Sequence, residues 1–399
     1  MSSSCAFRSL ALGAAGLLLP LATLAQNPFV GPRGAAMAGA ATAVADDGTA
    51  LWTNPAGLAR DPRLDVALFG SGVATNRNEF TGAVDRLTSI DLDRIREGRD
   101  LDRIPRALRD LALLTSSGTG IVGSGVAGAV VGKGGFAIGL GEVAYGGVYP
   151  TVDLVRIFPG NDPATGLAFN QTAVSFLGLE AREARVAYAR SFLNRLLLVG
   201  VTVRYIEGRT YFTRRGVFDT EDSDPAELIR EAFEENARET EKLAYDVGAM
   251  LNLGGKVRVG LVGTALNEPE FEVAEVPEAP DSVRLPRTLR AGVAVQPVGI
   301  LTVAADYDLE ASDTLLPGGK SRQLSGGIEV KLPFFAIRAG AFRDSEAPDP
   351  HWAYAAGVGL GLNVLSINAA VVFSSEGGLS FSSTERRDVG AAVDARLRF

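Results

Sequence analysis

Few residues in this chain could do chemistry. It holds one histidine, His351, and one cysteine, Cys5, in 399 residues. A Ser–His–Asp relay would have to be built on His351, with Asp344, Ser345 and Asp349 as its neighbours. A histidine in a proline-flanked loop is ordinarily just solvated, so this grouping predicts no catalysis. With no second thiol or imidazole, a transition-metal site would have to lean on carboxylates, which suits those metals poorly. Gly123-Ser124-Gly125-Val126-Ala127-Gly128 matches a dinucleotide fingerprint, which works only between a strand and a helix. Here the run reads as strand. Gly319-Lys320-Ser321 resembles the end of a phosphate-binding loop, but Thr314 stands where the motif's first glycine belongs. These residues predict a chain that is not an enzyme and carries no cofactor and no metal.

The elements that would position such residues point elsewhere. The net charge is −8, which excludes the basic face that a nucleic-acid partner requires. Residues 1–25 read as a secretory signal: Arg8 precedes the apolar run from Leu10 to Leu24, and small residues near Ala25 suit cleavage. Cys5 lies before that run, so the mature chain has neither disulfides nor thiolate ligands. Thereafter the dominant pattern has a period of two, which sends alternate side chains to opposite faces of a strand. Val389, Ala391, Val393, Ala395, Leu397 and Phe399 alternate with small or charged residues. So do Leu301, Val303, Ala305 and Tyr307 against Thr302, Asp306 and Asp308. About 14 such segments can be counted, starting near residues 64, 119, 134, 182, 196, 242, 256, 287, 299, 322, 334, 352, 365 and 387.

Alternation suits a soluble sandwich as well as a membrane barrel, and the connections choose between them. Very short ones, such as Gly254-Gly255 and Asn363-Val364, alternate strictly with longer ones, such as residues 75–118, 147–181, 208–241 and 267–286. Short turns at one end and long loops at the other are the signature of a transmembrane β-barrel. The expected fold is therefore all-β: an antiparallel barrel of about 14 strands over residues 63–399, facing membrane lipid. Charges such as Arg204, Arg258, Asp246, Asp306, Glu329, Arg338 and Asp394 fall on the luminal register and are expected to pair there. An arginine or lysine on the lipid face would cost roughly 2–4 kcal/mol at mid-bilayer. Helical spacing over Leu87 to Leu114, and an acidic start at Asp224-Pro225 before Ala226 to Lys242, predict helices in two of the long loops. Phe399, ending an alternating strand, matches the targeting signal read by the barrel-assembly machinery.

A barrel this wide cannot fill its lumen with wall side chains alone. Residues 26–62 are rich in Gly and Ala, are not strand-like, and precede the first strand, which suits a luminal plug. This region also carries a family resemblance. Gly34 and Gly39, then Ala45-Asp46-Asp47, then Asn54-Pro55-Ala56-Gly57-Leu58 resemble the start of FadL-like outer-membrane transporters, and above all their TraF-type and PorV-type relatives. Val259-Gly260-Leu261-Val262-Gly263 through Asn267-Glu268-Pro269 is similar to a second family element. The resemblance implies that Asp46, Asp47, Asn54, Pro55 and Ala56 are hatch residues. It also implies passive uptake of hydrophobic, fatty-acid-like molecules across the outer membrane of a Gram-negative-type bacterium. The alternative it leaves open is a non-transporting component of a conjugation or protein-secretion system. Gly139, Gly141, Gly146 and Gly147 crowd the third strand, where interior glycine weakens pairing, and are expected to mark a lateral opening in the wall.

Overall fold

A computed structural model describes residues 29–156, 163–218, 237–374 and 387–399. Residues 1–25, expected to be the signal, lie outside the described residues, as do residues 226–236 of the second expected loop helix.

Fourteen strands close into one antiparallel barrel, each bonded to its neighbours in sequence. They are β1 Asp65–Arg77, β2 Gly120–Lys133, β3 Phe136–Thr151, β4 Ala173–Phe192, β5 Leu197–Gly216, β6 Ala237–Leu253 and β7 Val257–Thr264. β8 Thr288–Val298, β9 Leu301–Asp308, β10 Gln323–Lys331, β11 Phe335–Asp344, β12 Trp352–Leu362, β13 Leu365–Ser374 and β14 Asp388–Arg398 complete the ring. The seam lies between β1 and β14, and Phe399 finishes it by exchanging both backbone hydrogen bonds with Leu64, at 2.9 and 3.1 Å.

The alternation read from the sequence is the alternation of the wall. On β9, Val303 and Tyr307 are 44% and 41% exposed on the outer surface, whereas Asp306 and Asp308 are 2% and 3% exposed on the inner one. The outer face carries a continuous apolar band that includes Ile138, Val186, Val203, Leu243, Ile328, Val358 and Val393. The short turns all fall at one rim. At Gly254 and Gly255, φ is +60° and +74°, a left-handed pair that only glycine adopts freely, in the three-residue turn between Leu253 and Val257.

Strand limits agree with the sequence pattern within a few residues, except at the far rim of three strands. β4 starts at Ala173, well before Arg182, β5 runs on to Gly216, and β6 begins at Ala237. Residues Ala237 to Lys242, expected to end a loop helix, are strand paired with residues 206–211 of β5. The outward positions here are Glu180, Arg182, Glu207, Arg209, Glu239 and Glu241, so the apolar–polar contrast disappears while the backbone ladder continues. The helices expected in residues 87–114 are present as α2 Phe80–Thr88, α3 Leu92–Arg96 and α4 Ile104–Leu114. They bury Phe80, Leu87, Ile95 and Leu111 together with Leu167 over the rim of β2 and β4. No helix among the described residues is long and apolar enough to cross a membrane, which says nothing against crossing by strands.

Candidate functional site: the lumen

Residues 29–60 pack against the inner faces of strands all round the ring. The segment begins with the short helix α1 Gly31–Ala36, which lies against β12, β13 and β14, and turns through two 3-10 helices, Gly48–Leu51 and Pro55–Ala59. Each of these turns is capped by a residue singled out in the sequence. The Asp47 carboxylate accepts from Thr49 N at 2.9 Å, and the Asn54 side-chain oxygen accepts from Ala56 N at 3.1 Å. The Asn-Pro-Ala sequence is thus a cap, a first-turn proline whose missing N–H is not needed, and a small second residue. Asn54 Nδ2 also donates to Thr42 O at 2.9 Å and so ties the two arms of the segment together.

The wall is shaped to receive this turn. A Cβ added at Gly200 would lie 2.6 Å from Pro55 O, and one at Gly248 would lie 2.9 Å from Pro55 Cδ and overlap the Asn54 amide. Farther round, Met37 occupies the inner side of Gly327 and Gly340 in the same way. Luminal charges grip the segment as well. Glu329 receives Arg33 at 2.7 Å and Arg338 at 2.7 Å. Asp306 accepts from Ala41 N and Thr42 N at 3.0 and 2.8 Å, and Arg258 donates to Ala43 O at 3.1 Å. Several residues expected to pair wall to wall therefore hold the N-terminal segment instead. Arg204–Asp246 at 3.0 Å and Arg338–Glu329 pair within the wall as expected. Asp394 accepts from Asn368 at 2.7 Å and lies 3.6 Å from Arg396.

Asp46 and Asp47 sit where the segment meets these charges. Burial pushes the Asp46 carboxyl upward, but Arg33 at 2.7 Å and Arg60 at 3.5 Å outweigh burial and hold it well below the usual carboxylate range. Asp47 shows the same balance, with Arg396 as its hydrogen-bonded partner. The same network acts on Arg33: burial disfavours its charge, while Asp46 and Glu329 more than restore it.

The wall is closed at β3. Its ladder with β2 and β4 runs unbroken through Gly139, Gly141, Gly146 and Gly147. The physical use of Gly139, Gly141 and Gly147 is room on the inner face. Trp52 of the N-terminal segment lies against Gly139 and Gly141, and Leu315 lies against Gly147. Trp52 was not singled out in the sequence, although a lone large ring in a run of Gly and Ala is the signal that could have found it. Its ring meets Phe69 edge-on at 4.9 Å and lies 5.1 Å from the Arg185 guanidinium.

Two loop hairpins reach inward from the far rim. One, Glu270–Glu272 with Ser282–Arg284, buries Phe271 against Gly208 of β5 and accepts a 2.7 Å hydrogen bond from Thr210 through Glu272 O. The other, Ser312–Asp313 with Lys320–Ser321, leaves the β9–β10 side and brings Leu315 and Leu316 to β2 and β3 across the lumen. Beneath them lies a cavity with about 710 Å³ of empty space, counting its open mouth. It is walled by Val122, Leu179, Val283, Leu285, Pro286 and Leu315, and Tyr145 and Arg204 also line it. A second cavity, of about 600 Å³ on the same count, lies against β1, β11, β12 and β14 over Phe29 and Phe342. Sequence reading found neither cavity, because both depend on where loops fold back.

The family profile described as "F plasmid transfer operon, TraF, protein" matches residues 51–308, well over half of the chain. The chain belongs to this TraF family. Comparison with curated proteins gives no match. Among solved structures, the TraF-family chain is similar to the TodX deltaS2S3 mutant, a monoaromatic hydrocarbon channel, with 13% identity and a TM-score of 0.53 over 93% of this chain and 99% of that one. It is similar to the toluene transporter TbuX of Ralstonia pickettii, with 15% identity and a TM-score of 0.52 over 94% and 99%. It is also similar to a FadL homologue of Pseudomonas aeruginosa, with 13% identity and a TM-score of 0.51 over 95% and 99%. At these identities the likeness establishes the FadL-like barrel fold that this TraF chain adopts.

Proposed function

We propose that this TraF-family chain is an outer-membrane channel for the passive uptake of hydrophobic small molecules, with residues 29–60 acting as a luminal hatch. The apolar band on the outer wall supports a lipid environment. The single observation that carries the reading is the cavity between the inserted hairpins and the inner faces of β2 to β5. It lies inside a barrel, and its lining sets aliphatic residues beside a few hydroxyl and charged groups, as ligand pockets do. The names of the structural relatives, as hydrocarbon and toluene channels, agree with that chemistry. Asp46, Asp47, Asn54, Pro55 and Ala56 would hold the hatch shut until its contacts exchange. Barrel-assembly machinery would read Phe399 during insertion.

Flux of a small aromatic probe into vesicles containing the purified protein tests this reading. Flux above that of empty vesicles is expected, and removal of residues 27–60 should raise both flux and ion conductance. Unchanged conductance after that deletion would remove the hatch role. The family's description favours a second reading, a docking component of a transfer or secretion system. A stable protein partner, together with probe flux no faster than in empty vesicles, would favour it.

A further inference from the structure

The Tyr145 cavity is not a plain hydrocarbon slot, since Thr264, Thr288, Ser312 and Thr314 line it together with charged groups. Tyr145 and Arg204 reach it from the inner faces of β3 and β5. The Tyr145 hydroxyl makes no hydrogen bond among the described residues. Arg204 is 4% exposed, and its Nε–H is buried without a partner. Buried donors are ordinarily satisfied, and each one left unmade costs about 1–3 kcal/mol. Arg204 Nε has no open surface for a ligand to reach, so the donor offered to the cavity is the half-buried Tyr145 hydroxyl, from which one ligand oxygen can accept.

The surrounding charges limit what that oxygen can belong to. Glu183 receives Arg185 at 2.6 Å and Arg204 at 3.3 Å. Asp246 receives Arg204 at 3.0 Å and Ala265 N at 2.8 Å. Two arginines face two carboxylates, so the cluster is already neutral. At the cavity's upper end Arg284 is paired with Glu270 at 2.5 Å, and Asp313 adds a negative charge. An incoming carboxylate would be stripped of water with no spare cation to meet it, a loss of several kcal/mol per ion.

We infer that this cavity recognises an uncharged apolar molecule bearing one hydrogen-bond-acceptor oxygen, such as a ketone, ester or phenol ether, in preference to a carboxylate. The inference rests on the uptake reading and names the substrate class of the same site.

Calorimetric titration of the full-length protein in lipid nanodiscs with acetophenone, ethylbenzene and benzoate at pH 7.5 tests it. Acetophenone should bind roughly 3–10-fold more tightly than ethylbenzene, the worth of one net hydrogen bond, and at least about tenfold more tightly than benzoate. Tyr145→Phe removes a hydroxyl that has no protein partner, so the fold should be untouched while the preference for the ketone over ethylbenzene shrinks. Equal binding of acetophenone and ethylbenzene, benzoate binding as tightly as acetophenone, or a preference that survives Tyr145→Phe would overturn the assignment. Failure of all three probes to bind would instead remove the uptake reading itself.

Discussion

The N-terminal segment presents one aromatic ring on each side of the lumen, and the two surroundings use polarity differently. On one side Phe29 meets Phe342 edge-on at 5.2 Å, beneath a rim where polar side chains fasten neighbouring elements together. Arg77 binds Asp344 at 2.6 Å and Lys320 O at 2.9 Å, and His351 binds Asp388 at 2.5 Å. The Arg77 and Arg322 Nε–H groups are left without hydrogen-bond partners here too. On the other side Trp52 lies under Arg185, and above that cluster an open cavity is lined by aliphatic and hydroxyl side chains, with the Tyr145 hydroxyl unspent. The Phe29 side reads as a fastening and the Trp52 side as a receptacle, and substitutions should separate the two.

The largest effect is expected from Trp52→Ala. The ring is 8% exposed and fills space that Gly139 and Gly141 leave open, so its removal leaves a cavity that the rigid wall cannot collapse around. A loss of about 3–5 kcal/mol in unfolding free energy is expected, read by denaturant titration in detergent, with a rise in vesicle conductance. No change in conductance would show that Trp52 packs without sealing. Next comes Glu329→Ala, which strands Arg338 in the wall and unpins Arg33 near the Phe29 arm. Breaking a buried pair costs about 3–5 kcal/mol, and the partial exposure of Arg33 lowers the expectation to about 2–3 kcal/mol. Smaller again is Gly248→Ala. The added methyl overlaps Asn54 and should cost about 1–3 kcal/mol, with faster proteolysis after Arg60 as the hatch is displaced. Stability equal to the parent would mean that the Asn54 turn is not seated as described.

The barrel was legible in the sequence because lipid on one side and a packed lumen on the other impose the same alternation on every strand. Legibility ended where that contrast ended, at Glu180, Arg182, Glu207 and Arg209, whose pairing only the backbone ladder reveals. Asn54-Pro55-Ala56 could be recognised because capping is local, whereas Gly200 and Gly248 could not be assigned to it because their partner lies far off in sequence. The β3 glycines show the converse error. Glycine in a strand was read as weakness, but here it is clearance for Trp52. Arg204 was legible only as a luminal charge and Tyr145 not at all, since their place in the cavity depends on hairpins that fold inward from other loops.

The smallest effect concerns the fastening on the Phe29 side, and it has a definite sign. Both nitrogens of His351 face acceptors: Asp349 O lies 3.0 Å from Nδ1, and an Asp388 oxygen lies 2.5 Å from Nε2. Only the imidazolium can donate to both. Burial pushes the His351 pKa down, but the hydrogen bond and charge of Asp388, with Asp349 adding to them, raise it above its usual 6.5. Other charges stand nearby: Arg387 pairs with Asp349 at 3.0 Å, and Arg77 and Asp344 line the same cavity. Because the folded value is the higher one, the stabilising contribution is complete below about pH 6.5 and is lost as pH rises through the raised pKa. The strap from Ser345 to His351 should then loosen from β14 on the alkaline side of that range. His351 is the only histidine, so its ring resonances titrate without overlap in NMR spectra of the protein in micelles. A midpoint above 6.5 that falls in Asp388→Asn supports the clasp. A midpoint at or below 6.5 in the parent protein would show that Asp388 does not hold the ring, and the Phe29 side would lose its pH-sensitive contact.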